Sequence, residues 1–543
     1  RRQRQMCIRD RIYILTAAAF VQTACTNLDE RVYDQLTAED YFDNFTEEDI
    51  PAALGSVYSD LRTLYAGDNV HTEGCWLYTN EETGDGWVTP SRGGSWYDGG
   101  IYQRLNNHTW NIDDAHILGN WRKAYAAINT CNRLMYEFEN ADIEPESKEK
   151  LMAELHVARA FWYYVLCDMY GNVPLVTKYD VPKGWLPETA PRKEIFDFVV
   201  KEVRDNRALL TEKGYGRWDY YAATMLLAKT YLNAEVWVGE TYWQEVADLC
   251  DEIIDSKKYS LDNDYKQIFV TENENSPEII LAACNDEIYD TALPFRIHLW
   301  THHWNYRYHH DTETFFWGGC CATPDLANSY DPDDTRFEDS WAEGPLYDNT
   351  GELTGVPGTP ILCDPKDPKD QGLPLVYTRD IPIYNPGKPE SQTGEGAGVR
   401  MNKYEIKKKA KNRLSNDFVI FRYADVLFMK AEALWRQNGK AADAVIVGLI
   451  NDVRRRAFAD FSLSKMLQVS QLDDDRFLQE YAWEFCQEGH RRQQLIRFGV
   501  FTTKKWFQHE AIGEDDHVTV FPIPRDELLA NEKLQQNDGY PRL

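Results

Sequence analysis

From Asp114 to about Leu261 apolar residues recur at three- and four-residue steps almost without interruption, the period of helices that bury one face. In "LMAELHVARAFWYYVLCDMYGNVPL", Leu151, Leu155, Ala158, Trp162, Leu166 and Met169 form such a face, and Gly171 and Pro174 end it. The same period returns in "KEIFDFVVKEVRDNRALL", "YYAATMLLAKTYLNAEVW" and "WQEVADLCDEIIDSKKY". It is lost between about Asp286 and Arg413, where Gly, Pro and Asp become frequent, and resumes from Tyr423, from Ala441 and in "YAWEFCQEGHRRQQLIRFG", Tyr481 to Gly499. A smaller stretch of broken pattern runs from Glu73 to Trp110. The pattern predicts a helical frame split by a large irregular insertion, with a second irregular loop near the start.

Ala158, Ala160, Ala222, Ala223 and Ala228 stand where paired helices would approach closely, the arrangement of tetratricopeptide-type hairpins. The strict 34-residue signature of those repeats is absent, so the hairpins are read as degenerate. An insertion as long as 286–413 is unusual inside a folded body unless it is functional.

Net charge changes the picture next. With 88 acidic and 59 basic residues the chain carries −29, which opposes binding to nucleic acid or an anionic membrane face. The 17 Trp and 32 Tyr exceed what a core needs, and the surplus points to recognition at a surface. At the N-terminus, "IYILTAAAFVQTA" (Ile12 to Ala24) follows Arg9 and Arg11 and precedes Cys25. It is too short to span a bilayer and reads as an export signal, residues 1–24, ending at a lipidation cysteine. The first eleven residues, "RRQRQMCIRDR", read as an extension of it. The alternative is an ordinary cleaved signal with an incidental cysteine. Without Cys7 and Cys25 nine cysteines remain of 11, scattered and with no CxxC pair, so buried thiols are expected rather than a disulfide or zinc framework.

Two stretches could carry a site. "GDGWVTPSRGGSWYDGG", Gly84 to Gly100, combines six glycines with Trp87, Trp96, Tyr97, Arg92 and Asp98. Flat rings flanked by hydrogen-bonding groups suit the apolar faces and hydroxyl edges of sugars, and no phosphate-cradling glycine motif is present. The alternative is an irregular loop buried by its own tryptophans. "LWTHHWNYRYHHDTETFFWGGCC", Leu299 to Cys321, holds Trp300, Trp304, Tyr306, Tyr308, Phe315, Phe316 and Trp317. Five of the 12 histidines lie between His298 and His310, so a zinc site is one reading, on the i, i+4 spacing of His298 and His302 and on His309 and His310 before Asp311. HExxH is absent, and an aromatic binding wall is the preferred reading; it would face the first loop if the frame brings the two together. Glu272, Asn273, Glu274 and Asn275 offer clustered oxygens to calcium, against the plainer reading of a solvated turn. No GxSxG or recognised Cys/His pair is present, and nothing requires catalysis. In Tyr481–Gly499, Phe485, Leu495 and Ile496 mark apolar positions of a helix hairpin and Gly489 its turn or a close contact. Glu484, Glu488, Arg491, Arg492 and Arg497 are expected to pair as structural charges, and Cys486 and His490 lack a third group to complete a site.

Five blocks in order, namely Cys25 after the signal, "ARAFWYYVLCDMYGNVPL" from Ala158, "AATMLLAKTYLNAEVW" from Ala222, "FRYADVLFMKAEALWR" from Phe421 and "WEFCQEGHRRQQLIRFG" from Trp483, with the closing "FPIPRDELLANEKLQQNDGY" from Phe521, make the chain resemble the SusD/RagB family of outer-membrane glycan-binding lipoproteins of Bacteroidota. The resemblance implies a mainly α body of about four tetratricopeptide-like helix pairs over 25–543, with large irregular loop insertions forming the ligand-binding part. Its N-terminal part is 34–285 with binding loop 73–110, and its C-terminal part 286–543 with insertion 286–413. It further implies non-catalytic binding of polysaccharide or oligosaccharide on the cell surface, delivery to a TonB-dependent transporter, anchoring by lipid at Cys25, and no cofactor unless calcium. Family sites are aromatic arcs, which match Trp87, Trp96 and Tyr97 with Trp300, Trp304, Tyr306 and Trp317, and with Arg92 and Asp98 beside them. "RFGVFTTKKW" looks like the starch-binding branch but belongs to the frame. Cys486, His490, Gln493 and Gln494 depart from the family's usual residues on a helix surface. A peptide or glycoprotein ligand on the same fold is the runner-up, a hydrolase using the histidine-rich loop 298–311 the reading from a different class, and a purely structural helical adaptor the third.

Overall fold

The computed structural model describes residues 46–543 apart from 67–72, 93–94, 290–292, 352–355, 366–371, 387, 389–390 and 412; the predicted signal and Cys25 lie outside the described residues. Among the described residues the first α-helices are α1 (Ile50–Leu61), α2 (Trp76–Glu82) and α3 (Ile101–Asn106). The frame follows: α4 (Ala115–Asn140), α5 (Pro145–Met169), α6 (Arg192–Asn206), α7 (Tyr220–Leu232) and α8 (Trp243–Ser256), then after the insertion α9 (Tyr423–Gln437), α10 (Ala444–Arg454), α11 (Asp474–Phe485) and α12 (Arg491–Arg497). Each frame helix from α4 to α10 packs against the next, so α8 and α9, separated in sequence by the insertion, are neighbours in space.

Local chemistry sets the helix ends. Pro145 occupies the first turn of α5, where its missing N–H costs nothing. Asp219 caps α7 by accepting from Ala222 N at 2.7 Å, Asp443 caps α10 from Val445 and Ile446 N at 2.9 Å, and Asp473 caps α11 from Arg476 N at 2.9 Å. Every residue of α7 from Tyr221 to Leu232 is buried, as expected of a helix enclosed by neighbours rather than lying on the surface.

Among the described residues six two-stranded pairs complete the fold. The longest, β3 (Ile279–Ala283) with β6 (Phe418–Arg422), is antiparallel and buried throughout; it clamps the two ends of the insertion together at the frame. The insertion is less irregular than its composition predicts, with short helices at Arg307–His310, Pro324–Ser329 and Arg336–Ser340. It also has an apolar centre of its own, built on Leu299, Tyr306, Phe316, Leu346, Leu375 and Tyr377.

The Tyr481–Gly499 stretch is framework. α11 stops at Phe485, Gln487 and Gly489 take φ of 66° and 79°, and α12 starts at Arg491, so Cys486 and His490 do not share a helical face. The expected charge pairs form with distant partners. Glu484 meets Arg336, Arg422 and Arg456, while Glu488 meets Arg422 and Lys403, all buried. Arg491 pairs with Asp85, Arg492 with Asp168 and Arg497 with Glu432. The three arginines around Glu484 hold its carboxyl far below the ordinary range despite burial. The nine described cysteines form no disulfide with one another, and all but Cys284 are buried.

Candidate ligand-binding site

The two aromatic loops meet. β1 (Trp87–Val88) pairs antiparallel with β4 (Cys321–Ala322), and β2 (Ser91–Arg92) pairs parallel with β5 (Gln392–Thr393). Arg92 is the clasp: buried, it donates Nη1 to Gly394 O at 2.8 Å, Nε to Gly319 O at 3.2 Å and Nη2 to Cys321 Sγ at 3.2 Å. Burial and the neighbouring Arg400 pull its guanidinium down to about 9, so it keeps its charge at neutral pH. Behind the loop, Glu82 accepts from Thr89 N at 2.9 Å and Thr89 Oγ1 at 2.6 Å. Trp96 supplies the second clasp, donating Nε1 to Trp317 O at 2.7 Å.

That clasp is held by an unusual backbone. Trp96, Asp98, Gly99 and Gly100 have φ of 62°, 43°, 66° and 81°. For the two residues that carry a Cβ this region costs about 1–2 kcal/mol each, and such strain clusters at sites the surrounding structure holds rigid. The turn drives the indole of Trp96 under Gly319, where an added Cβ would overlap the ring.

Five of the nine predicted ligand residues are therefore corrected. Trp87, Trp96 and Trp300 are 1%, 3% and 2% exposed and belong to the main core, Arg92 is buried in its clasp, and Tyr306 lies in the centre of the insertion. The reason is area: segments with little regular structure have few aliphatic faces to bury, so their large rings become the core. The alternative reading of the first loop, buried by its own tryptophans, describes Trp87 and Trp96.

Four predicted residues reach the surface. Trp317 is half-buried at the seam of the two apolar clusters. Trp304 lies across Gly318, 3.6 Å from where that residue's Cβ would be, with its ring 3.9 Å from that of His303. Tyr97 is half-buried, and Asp98 is exposed and accepts from the Tyr102 hydroxyl. Backbone bonds from Trp317 N to Leu299 O (2.7 Å) and Gly318 N to His302 O (2.8 Å) fold the 299–320 segment back on itself and bring Trp304 against Gly318. Tyr308 and Phe315, part of the aromatic run but not of the predicted site, are 50% and 57% exposed. Arg307 stands 4.9 Å from the Tyr308 ring. No residue-level pattern separates these two from Tyr306 and Phe316, because the segment has no single period.

The histidines pack instead of converging. His298, His302 and His310 surround Phe316, with ring centroids 5.7, 5.7 and 6.2 Å from it. His303 pairs with buried Glu395 at 2.7 Å, and His309 contacts Tyr347 O at 2.9 Å. Among the described residues no three His, Cys, Asp or Glu side chains are grouped as a metal would require. Of the calcium candidates, Asn273 points inward and its amide is saturated by Ile268 O, Asp417 O and Asp417 N. Glu272, Glu274 and Asn275 face solvent without it.

A helical frame thus holds two aromatic loops clasped to each other through Arg92 and Trp96. Residues 277–540 match the model described as SusD family, and residues 49–232 match one described as "Starch-binding associating with outer membrane"; the chain belongs to the SusD family. It is 25% identical over 435 residues to the starch-binding protein SusD of Bacteroides thetaiotaomicron, covering 72% of each chain. Among solved structures, a laminarin-binding SusD-like protein superposes with a TM-score of 0.65 at 20% identity, over 91% of this chain and 100% of that one. Surface glycan-binding protein A from Bacteroides thetaiotaomicron, in complex with laminarihexaose, gives 0.68 at 19% identity, over 91% and 100%. At these identities the structures establish the fold.

Proposed function

We propose that the protein binds polysaccharide or its oligosaccharides at the cell surface without cleaving them, and passes them to a TonB-dependent transporter of the outer membrane, to which it is held by acyl chains on Cys25. The observation that carries this reading is the clasp that ties the strained turn bearing half-buried Tyr97 and exposed Asp98, through Trp96, to half-buried Trp317, with half-buried Trp304 across the next residue, Gly318: rings for sugar faces and a carboxylate for hydroxyls. Membership of the SusD family supports the same reading, as do the starch and laminarin ligands named for its relatives. Glycoside hydrolysis needs two available carboxyl groups flanking the bond. Glu395, below the aromatic surface, is instead taken up by His303 and Asp364 N. Stacking at about 25 cal/mol per Å² over a few rings gives weak binding, which suits hand-over. Among the described residues no helix is long and apolar enough to cross a membrane.

Native affinity electrophoresis of the mature chain in amylopectin, laminarin, xylan and galactomannan gels tests the reading. Retardation by at least one, lost in Trp317→Ala, is expected. Mobility unchanged in every gel, or release of reducing ends, overturns it.

A further inference from the structure

All 17 tryptophans lie within the described residues, and the most exposed of them, Trp185 at 43%, stands outside the two aromatic loops. It is carried by a hairpin between α5 and α6 whose base pairs Val173–Pro174 antiparallel with Thr189–Ala190. Every residue from Thr177 to Trp185 is exposed. A ring of this size left in water forfeits the burial it would gain in a core, and exposed apolar groups rimmed by polar ones mark interaction sites.

The hairpin is anchored so as to hold that ring out. On its outgoing limb Asn132 Nδ2 of α4 donates to Val176 O at 2.9 Å, the Tyr163 hydroxyl of α5 accepts from Val176 N at 2.7 Å, and Arg159 Nη1 donates to Thr177 O at 3.1 Å. The returning limb is held by Asn531 Nδ2, which donates to Pro187 O at 2.8 Å. At the tip Trp185 N donates to Pro182 O at 2.9 Å across Gly184, whose φ of 81° is the conformation such a turn asks of glycine. Tyr179, exposed on the same hairpin, meets exposed Tyr136 of α4 with ring centroids 5.9 Å apart at 46°. Three exposed rings thus belong to one anchored hairpin and the helix beside it.

The chemistry between the rings selects the occupant. Lys178, Asp180 and Lys183 are exposed on the same stretch, interleaved with Tyr179, Val181 and Trp185. The core of a protein–protein contact is depleted in Lys and Asp, and a net charge of −29 opposes an anionic membrane face. Rings alternating with hydrogen-bond donors and acceptors suit a sugar, which offers an apolar face and hydroxyl edges. We infer that the Trp185 hairpin, with Tyr136, is a second and weaker glycan-binding surface that takes another stretch of the same polysaccharide. The inference rests on the proposed glycan-binding function and extends it from one site to two. A polymer engaging both gains avidity with no new contact at the first, so long chains are bound in preference to short ones.

The test uses the mature chain with Trp185→Ala, Tyr179→Ala or Trp317→Ala, each checked for an unchanged thermal midpoint. Gels containing amylopectin, laminarin, xylan or galactomannan identify a retaining polysaccharide, and calorimetry follows with its hexasaccharide. Trp185→Ala is expected to weaken retention by the polysaccharide about 10-fold through lost avidity, and Tyr179→Ala to weaken it less, with hexasaccharide affinity at the parental value in both. Trp317→Ala instead abolishes retention and lowers hexasaccharide affinity. Indole NMR reads the second surface directly: hexasaccharide in excess over Trp317→Ala should shift the Nε1–H signal of Trp185, identified by its absence when Trp185→Ala is added. A Trp185→Ala protein retained as strongly as the parent overturns the inference and leaves the glycan reading standing, and so does a Trp185 signal that hexasaccharide leaves unmoved. Unchanged retention with lost binding to lipopolysaccharide vesicles also overturns it, making the hairpin a membrane contact. Retention of the parent by none of the four polysaccharides overturns both.

Discussion

The indole Nε1 of Trp96 donates to the backbone carbonyl of Trp317 at 2.7 Å, so a buried tryptophan of one loop fixes the position of a surface tryptophan of the other. The ring that looked like a ligand contact is the support for one. Trp96→Ala is expected to destabilise the fold by about 3–5 kcal/mol through the cavity it leaves and to weaken glycan binding as well. Trp96→Phe keeps most of the packing and loses the hydrogen bond, for about 0.5–1.5 kcal/mol. Gly319→Ala pushes a methyl into the same indole and should cost about 1–3 kcal/mol. Urea unfolding and affinity gels read both effects; a Trp96→Ala protein with parental stability would remove the clasp from the account.

Surface rings should behave in the opposite way. Trp304→Ala and Trp317→Ala are expected to lower affinity about 10- to 100-fold, as for central aromatic contacts, with little change in thermal midpoint, because both rings are only half-buried. Tyr308→Ala should have a smaller effect. If Trp87→Ala, which removes a core ring, reduced binding at unchanged stability, the assignment of roles would be reversed.

The histidines around Phe316 make stability depend on pH. Burial first, then Arg296, holds His298 at about 3; burial first, then His309 and His298, does the same for His310. His302 is pushed well below its ordinary value by burial, His310 and Arg400. Lys408 also faces His310, and Glu395 is committed to His303. The native state therefore stays neutral while the unfolded chain takes up protons below about 6.5. Stability is full above that value and falls as pH drops towards 3. Between pH 7 and 5, above the range in which Glu432 and Glu488, both held at about 2, begin to protonate, His302→Leu should lose less stability than the parent. Parallel pH profiles in urea titrations would contradict this.

The buried charges of the frame should be unforgiving. Glu484→Gln leaves Arg336, Arg422 and Arg456 facing an uncharged amide in a site closed to water, and a loss of about 3–5 kcal/mol is expected. A loss under about 1 kcal/mol, the scale of exposed pairs, would show that the remaining carboxylates Glu278 and Glu488 suffice.

The helices were legible because a 3.6-residue period relates each apolar side chain to one face, and Gly171 and Pro174 mark where that relation stops. Leu151, Leu155 and Leu166 are buried as the pattern predicts, and the C-terminal charges pair as structural groups, although the identity of each partner, such as Glu81 and Asp85 lying some 400 positions from the groups they meet, has no local signature. The resemblance to the family lay in the same helices, which is why the fold could be read from them. In the two irregular loops adjacent residues obey no period, so composition told that rings cluster there but not which way each one faces. Trp96 turns inward and Tyr97 outward because a left-handed backbone at Trp96 seats its indole beneath Gly319, a residue over 200 positions away. Periodicity along the chain was enough to give the helical frame and to mark the two aperiodic, aromatic-rich loops. Which aromatic rings became the core of those loops and which stayed at the surface follows from contacts between distant segments, because that division depends on the area they bury against one another.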